Sequence, residues 1–269
     1  MESVFCMPTY SQKVWGTDRA YGEVFFARAT GNAPEMESSK ATARQLKGIL
    51  KPDVTVLDVG CGAGHYLRSL RREFTFPFSY DGADVTPHYV RLAKKAYARD
   101  PLAHFRVAPV EKLPYKDKSF DIVLCCNVLL HLPSIVKPLR ELWRVTKGTL
   151  LIRTLIGKST FRIQQVHEAV PLKGKNDPLF DAKGEPKKFH YYNIYSEAYV
   201  RWLTAALPGA ADIALHEDRD FNPRAIGTQQ WPDKKKPADL TEIFNGWQVN
   251  TYVLQPWCFL RVTRKRKTA

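Results

Sequence analysis

The sequence has no run approaching the roughly 18 to 20 uninterrupted apolar residues that a membrane-spanning helix needs. Its first residues, MESVFCMPTYSQKVW, lack the charged-then-apolar layout of a secretory signal, so the expected compartment is the cytoplasm. Cysteine is scarce and odd in number: Cys6, Cys61, Cys125, Cys126 and Cys258 form no CxxC pair. That spacing argues against a zinc site and points to reduced structural thiols. There is neither an internal repeat nor a low-complexity tract. Acidic residues are in deficit: 41 Lys and Arg against 27 Asp and Glu give a net charge of +14. Such an excess suits an anionic partner such as nucleic acid, a polyanionic glycan or a membrane surface. Its spread weakens that inference, because 19 basic and 12 acidic residues in 151–269 leave +7 there and +7 before it. The dense runs Lys234-Lys235-Lys236 and Arg264-Lys265-Arg266-Lys267 read first as a solvated loop and tail, and second as a binding patch.

With 269 residues and 44% hydrophobic content, the chain can fill the core of one large domain or of a domain with a substantial insertion. Apolar spacing then predicts alternating elements. A helix over 38–50 with a serine cap precedes a strand over 54–59, a helix over 63–72 and a strand over 79–85. Pro87 suits the first turn of the next helix. Strands follow over 103–108 and 120–126, then a helix over 133–145 and a strand over 148–156. FDIVLCC at 120–126 is apolar on both faces, as a central strand should be. Residues 157–195 and 219–247 are rich in Lys, Asp, Pro and Gly and show little period, as a substrate-side cover would. Between them Ser196 can cap a helix, residues 211–216 form a strand, and 251–263 read as the last strand, with Pro256 marking a bend or edge. The expected fold is α/β: a doubly wound, mostly parallel, seven-stranded Rossmann-like sheet with an inserted α+β or loop cover. The expected division is an N-terminal cover over 1–37, a core over 38–156, an insertion with late core elements over 157–247, and a last strand with basic tail over 248–269.

The strongest motif is VLDVGCGAGHY at 56–66. In an open parallel sheet, ligands sit beyond the carboxyl ends of the strands, so a glycine loop after the first strand lies at the site. A dinucleotide loop reads GxGxxG and aims a helix N-terminus at a pyrophosphate. Here Gly60, Gly62 and Gly64 are spaced GxGxG, and Asp58 ends the strand just before them. A carboxylate there repels pyrophosphate and suits a ligand carrying an ammonium group and no phosphate. Asp84 ends the second strand, where a carboxylate can accept from a ribose diol. An adenosine attached to an amino acid satisfies both groups.

At these residues the sequence resembles the class I S-adenosylmethionine-dependent methyltransferases, in the metabolite-methylating branch, over about residues 38–156. The parts are VLDVGCGAG, the strand-end Asp84 in YDGADVT, EKLPYKDKSFDIVLCCNVLLHLP over 111–133, and ELWRVTKGTLLIRT after it. The resemblance implies S-adenosylmethionine as methyl donor, with Asp58, Gly60 and Gly62 along its methionine part, Cys61 and Gly64 in the same donor-binding loop, and His65 after it as a donor contact or a catalytic group. It further implies Asp84 and Val85 at the ribose, Val110 and Glu111 along the adenine, and the Asn127 backbone near the methionine end. Where many relatives carry an aspartate for the adenine amino group, this chain has Pro109, so backbone, Glu111 or packing must recognise the base.

A hydroxyl or protonated amine acceptor loses a proton on methylation, and histidine is the natural base. His131 in NVLLHLP follows the fourth strand at the carboxyl edge and is the first candidate; capping the next helix or packing under the cover is its alternative. In the cover, His190, Tyr191, Tyr192 and Tyr195 of FHYYNIY could bind the acceptor or could form a small satellite core. His167-Glu168 could be a further acid–base pair, and Tyr21 or Arg28 could close over the methionine carboxylate. The acceptor expected is a small molecule or a saccharide, methylated at oxygen or nitrogen. An RNA acceptor comes second, motivated by charge, and a donor-binding module without turnover third. No metal is expected.

Overall fold

The computed structural model describes residues 19–167, 177, 179–218, 242–244, 247–250, 253–255 and 257–264. Within them the first element is helix α1 (Arg19–Thr30), followed by α2 (Glu37–Gln45). Then come β1 (Thr55–Val59), α3 (His65–Glu73), β2 (Ser79–Asp84), α4 (Pro87–Ala96), β3 (Ala103–Val107) and β4 (Phe120–Cys126). A 3-10 turn (Leu129–His131) leads to α5 (Val136–Val145) and the long β5 (Thr146–Gly157). After these lie β6 (Gln164–Val166), β7 (Phe189–Tyr191), β8 (Tyr195–Ser196), α6 (Glu197–Ala205), β9 (Ala210–Glu217), β10 (Glu242–Phe244), β11 (Trp247–Asn250), β12 (Val253–Gln255) and β13 (Trp257–Arg264).

The main sheet runs β3-β2-β1-β4-β5-β13-β9, and β8 adds a short parallel pairing to β5. The first five strands are mutually parallel, while β13 lies antiparallel to both β5 and β9. This is the doubly wound, mostly parallel sheet expected. Strand residues alternate between two cores, as the pleat requires. Leu57, Val123, Leu150 and Ile152 pack with Leu139, Leu142 and Trp143 of α5 and Leu203 of α6. Val56, Ile122, Leu124 and Leu151 pack on the other face with Leu46, Leu67 and Leu70 beside α2 and α3, and with Val90 of α4. Four cysteines, Cys61, Cys125, Cys126 and Cys258, are buried free thiols. Burial pushes Cys126 and Cys258 up to about 12 and raises Cys61 and Cys125 well above the ordinary thiol value, so none of them is a thiolate at neutral pH.

Several expectations need correction. The first core helix starts at Glu37 with Met36 at its cap, so Ser38 lies inside it, buried. Its hydroxyl accepts from Tyr66 instead of capping. The helix expected from residue 133 starts at Val136. The last strand is Trp257–Arg264, and Val253–Gln255 belongs to a separate three-stranded antiparallel sheet with β10 and β11. Antiparallel pairing of Gln164–Val166 with Phe189–Tyr191 places a two-stranded β6–β7 sheet in the region expected to be irregular. Short strands whose partners lie far along the chain leave little periodicity to read. By contrast Ser196 caps α6 as expected, its Oγ accepting from the Tyr199 N–H at 3.2 Å. Pro256 and the runs Lys234–Lys236 and Lys265–Lys267 lie outside the described residues. No helix among the described residues is long and apolar enough to cross a membrane.

Leu124 is fully buried on the central strand. Leu124→Ala should lower the free energy of unfolding by about 2–5 kcal/mol, read from urea denaturation followed by tryptophan fluorescence.

Candidate active site

The parallel register carries β1 and β2 side by side, pairing Asp58 with Gly82 and Val59 with Ala83. Beyond β1 the chain turns sharply: the Gly60 and Cys61 N–H groups both donate to the Ala83 carbonyl, at 2.7 and 3.2 Å. Gly60 has φ +80°, and a Cβ there would collide with Val128, so this position demands glycine. At Gly62 a Cβ would press on the His65 and Phe25 rings at 3.2 Å. The turn therefore lies tight between the strand ends and helix α1.

Two carboxylates flank this turn. Asp84 is 8% exposed; its Oδ2 accepts from the Gly62 N–H at 2.9 Å and its Oδ1 from the Thr86 N–H at 2.8 Å. Asp58 is 2% exposed, and its Oδ2 accepts from the Tyr80 hydroxyl at 2.6 Å. Burial pushes Asp58 up to about 7; the Tyr80 hydrogen bond opposes that shift and the neighbouring Asp84 adds to it. Burial likewise raises Asp84, against the backbone N–H groups of Thr86 and Gly62.

Helix α1 closes one side. Phe25 stacks on His65 with ring centroids 4.5 Å apart and 10° between planes. His65 is buried, its Nδ1 lacks a hydrogen-bond partner, and burial with the nearby Arg28 lowers it to about 3. Arg28 is half-buried, and desolvation lowers it to about 10, with Tyr66 acting in the opposite sense. Asn127, just past β4, has φ +60°, and its main-chain N–H donates to the Arg153 carbonyl at 2.9 Å. Its side chain donates to the Tyr66 hydroxyl at 3.3 Å and accepts from Arg153 at 2.6 Å. After β3, the Ala108 N–H donates to the Asp84 carbonyl, Pro109 accepts from the Lys112 N–H, and Val110 is buried in the core while Glu111 is half-buried. Val85 is exposed beside the turn at 36%. Asp58, Gly60, Cys61, Gly62, Gly64, His65, Asp84 and Val85 thus gather at one edge, with Val110, Glu111 and Asn127 on the loops after β3 and β4.

On the far side, His131 ends the 3-10 turn and does not cap α5. Its Nδ1 lies 2.8 Å from the Tyr191 carbonyl, which can only accept, so Nδ1 carries the proton and Nε2 the lone pair. Burial lowers His131 to about 4, keeping the ring neutral at physiological pH. Tyr192 meets it edge-on at 5.3 Å between centroids, and His190 lies at 5.9 Å. His190 Nδ1 is 2.7 Å from His167 Nε2; burial first, then His131 and His167, lower His190 to about 3. Glu168 lies outside the described residues. Tyr191 contributes its carbonyl to His131, while its hydroxyl accepts from Arg162 at 2.7 Å. Tyr195 departs from the expected acceptor group. It is 6% exposed, packs in the core of α5 and α6, and its hydroxyl donates to the Leu129 carbonyl at 3.3 Å. Tyr80, Tyr66, Phe25, Arg153 and Asp218 were not singled out by sequence. Of these only Arg153 carried a signal, as one charge inside the apolar strand GTLLIRTLI.

The strand order and parallel core are those of the Rossmann-like methyltransferase fold. Residues 57–152 match the methyltransferase domain family. Over 104 residues the chain is 36% identical to 2-methyl-6-phytyl-1,4-hydroquinone methyltransferase of Synechocystis sp., covering 38% of this chain and 32% of that protein. Malonyl-[acyl-carrier protein] O-methyltransferase of Pectobacterium atrosepticum is 26% identical over 209 residues, 72% of this chain and 79% of the other. The chain therefore spans about a third of the hydroquinone methyltransferase and most of the malonyl enzyme. In fold it is similar to phosphoethanolamine N-methyltransferase 2 of Haemonchus contortus, with a TM-score of 0.59, 14% identity and coverage of 97% and 61% of the two chains. Residues 57–152 match a methyltransferase domain, and the relatives and the shared fold support a class I S-adenosylmethionine-dependent methyltransferase.

Because the folded state holds a proton on Asp58 that the unfolded chain releases near its ordinary value of 3.8, Asp58 costs stability as pH rises from about 4 to about 7. His65, His131 and His190, lowered on folding, act oppositely over an overlapping range, so the difference between variants is the clean measurement. The thermal midpoint of ligand-free Asp58→Asn minus that of the parent should climb between pH 5 and 8. A difference that stays flat would contradict the burial of an ionisable Asp58.

Proposed function

We propose that the chain transfers a methyl group from S-adenosylmethionine to an oxygen or nitrogen of a small-molecule or saccharide acceptor. The observation that carries this is the pair of buried carboxylates, Asp58 and Asp84, on either side of a glycine turn. Two acids in a dry cleft repel phosphate, and favour a ligand that brings an ammonium group to one and a diol to the other. Tight backbone and buried acids therefore fit this donor. When bound, S-adenosylmethionine supplies an electrophilic methyl group on a sulfonium centre.

The chain's own residues then do the rest. Asp58 holds the amino-acid end, Asp84 and Val85 hold the ribose, and the loop at Val110 and Glu111 flanks the base. Arg28, from α1, faces the carboxylate end beside Tyr66. Phe25 and His65 exclude water from the turn. His131 presents its Nε2 lone pair to the acceptor and takes up the proton released there. Since burial makes it a weak base, at about 4, it suits an acceptor whose own proton is already acidic, such as a phenol. The relative named for a hydroquinone supports a small-molecule acceptor. The net charge of +14 favours an RNA acceptor as a second reading, which requires binding that weakens steeply with salt.

Isothermal titration with S-adenosylhomocysteine should give a saturable signal in the parent and about ten- to hundredfold weaker binding in Asp84→Asn. No signal at millimolar ligand would remove this function. With a phenolic acceptor set, His131→Ala should lose about 10²–10⁴-fold in turnover with donor affinity unchanged.

A further inference from the structure

Arg153 is a cation in the middle of β5, and it is 1% exposed. Removing a guanidinium from water costs several kcal/mol unless its surroundings answer the charge. Its Nε donates to Asp218 Oδ2 at 2.6 Å, and both side chains of that ion pair are buried. Its Nη1 donates to Asn127 Oδ1 at 2.6 Å, and its plane lies 4.0 Å over the Trp257 ring. The Arg153 main-chain carbonyl also accepts the Asn127 N–H at 2.9 Å. One residue therefore grips Asn127 by both main chain and side chain. Asn127 sits at φ +60°, a left-handed conformation that a residue with a Cβ keeps only where its surroundings impose it.

The contacts continue beyond Asn127. Its Nδ2 donates to the Tyr66 hydroxyl at 3.3 Å, which in turn donates to Ser38 Oγ at 3.0 Å. At the other end, the Asp218 N–H donates to the Trp257 carbonyl at 2.8 Å. A continuous polar line thus runs from the exit of β9, across the middle of β5 and the carboxyl end of β4, to the start of α3 and α2. Apolar residues of similar volume would pack such an interior at least as well as a buried ion pair. Keeping the charge needs a reason other than cohesion.

We propose that Arg153 is a positioning residue that fixes Asn127, and through it Tyr66, at the methionine end of the donor seat, with Asp218 as its counter-ion. This rests on the donor-binding reading of the cleft. Arg153 touches no reacting atom; it sets the direction of the backbone beyond β4. Arginine is required because only its planar fork spans Asp218 and Asn127 together, whereas the single ammonium of lysine cannot.

A double-mutant cycle tests this. Arg153→Lys keeps a cation opposite Asp218 and loses the reach to Asn127; Asn127→Gly keeps the positive φ and loses the side chain. Binding of S-adenosylhomocysteine is measured by titration calorimetry, beside the thermal midpoint and the donor KM and kcat. Each single variant should bind about tenfold more weakly, and the double variant should be no weaker than either single, since both remove one coupled contact. The loss should fall on donor KM, with kcat retained at saturating donor. Asp218→Asn should reproduce the loss, and it carries the test if Arg153→Lys does not fold. Parental affinity in both Arg153→Lys and Asp218→Asn, or losses that simply add in the double variant, would overturn the role of Arg153. A parent protein that binds no donor at millimolar concentration would instead overturn the donor-binding reading itself, a result distinct from either.

Discussion

Two carboxylates taken out of water beside one backbone turn set the terms for the rest of this edge of the molecule. Asp84 is held by the Gly62 and Thr86 N–H groups and Asp58 by the Tyr80 hydroxyl. Each bond recovers part of the desolvation cost, yet burial still leaves both acids raised. A cleft in that condition is electrostatically incomplete. It gains most from a ligand carrying positive charge and hydroxyl donors, and little from one carrying phosphate. The tight turn, the glycine at Gly60 and the closing helix α1 all serve to keep that edge dry, which is what makes the two charges count.

The His131 side is built on a different balance. His131 and His190 there, like His65 beside the glycine turn, are lowered by burial and are neutral at physiological pH. A neutral imidazole adds no positive charge before it takes up a proton, and so does not repel a cationic sulfonium. In the proposed function the two walls therefore divide the work: acids hold the donor, and a weakly basic histidine, oriented by the Tyr191 carbonyl, meets the acceptor. Between them stands the Asp218–Arg153–Asn127–Tyr66 line, whose charges cancel within the interior and whose geometry aims the backbone after β4.

Much of the fold could be read along the chain. Strand ends at Val59, Asp84 and Cys126 and the helix opening at Pro87 follow from apolar period, glycine and proline. The candidate donor edge was legible for the same reason, since Asp58, the three glycines and Asp84 lie in short local motifs at the ends of predicted strands. Less was legible after residue 157. There β6 pairs with β7 across more than twenty residues, and no local pattern encodes a partner that distant. Tyr195 stayed open between two readings because an aromatic cluster looks alike whether it lines a cleft or fills a core. Its burial against α5 and α6 depends on how β8 joins β5.

By itself, the sequence determined the order of strands and helices in the core, the turn that demands glycine, and the two acids beside it, because each depends on neighbours a few residues away. Only the tertiary structure decided that Tyr80 bonds Asp58, that Phe25 covers His65, that His131 Nδ1 meets the Tyr191 carbonyl and that Arg153 reaches Asn127. Those contacts join residues 22 to 60 positions apart, or cross strands adjacent only in the folded sheet. A side chain's partner at such range is set by strand register and helix packing, and these exist only once the whole core has closed.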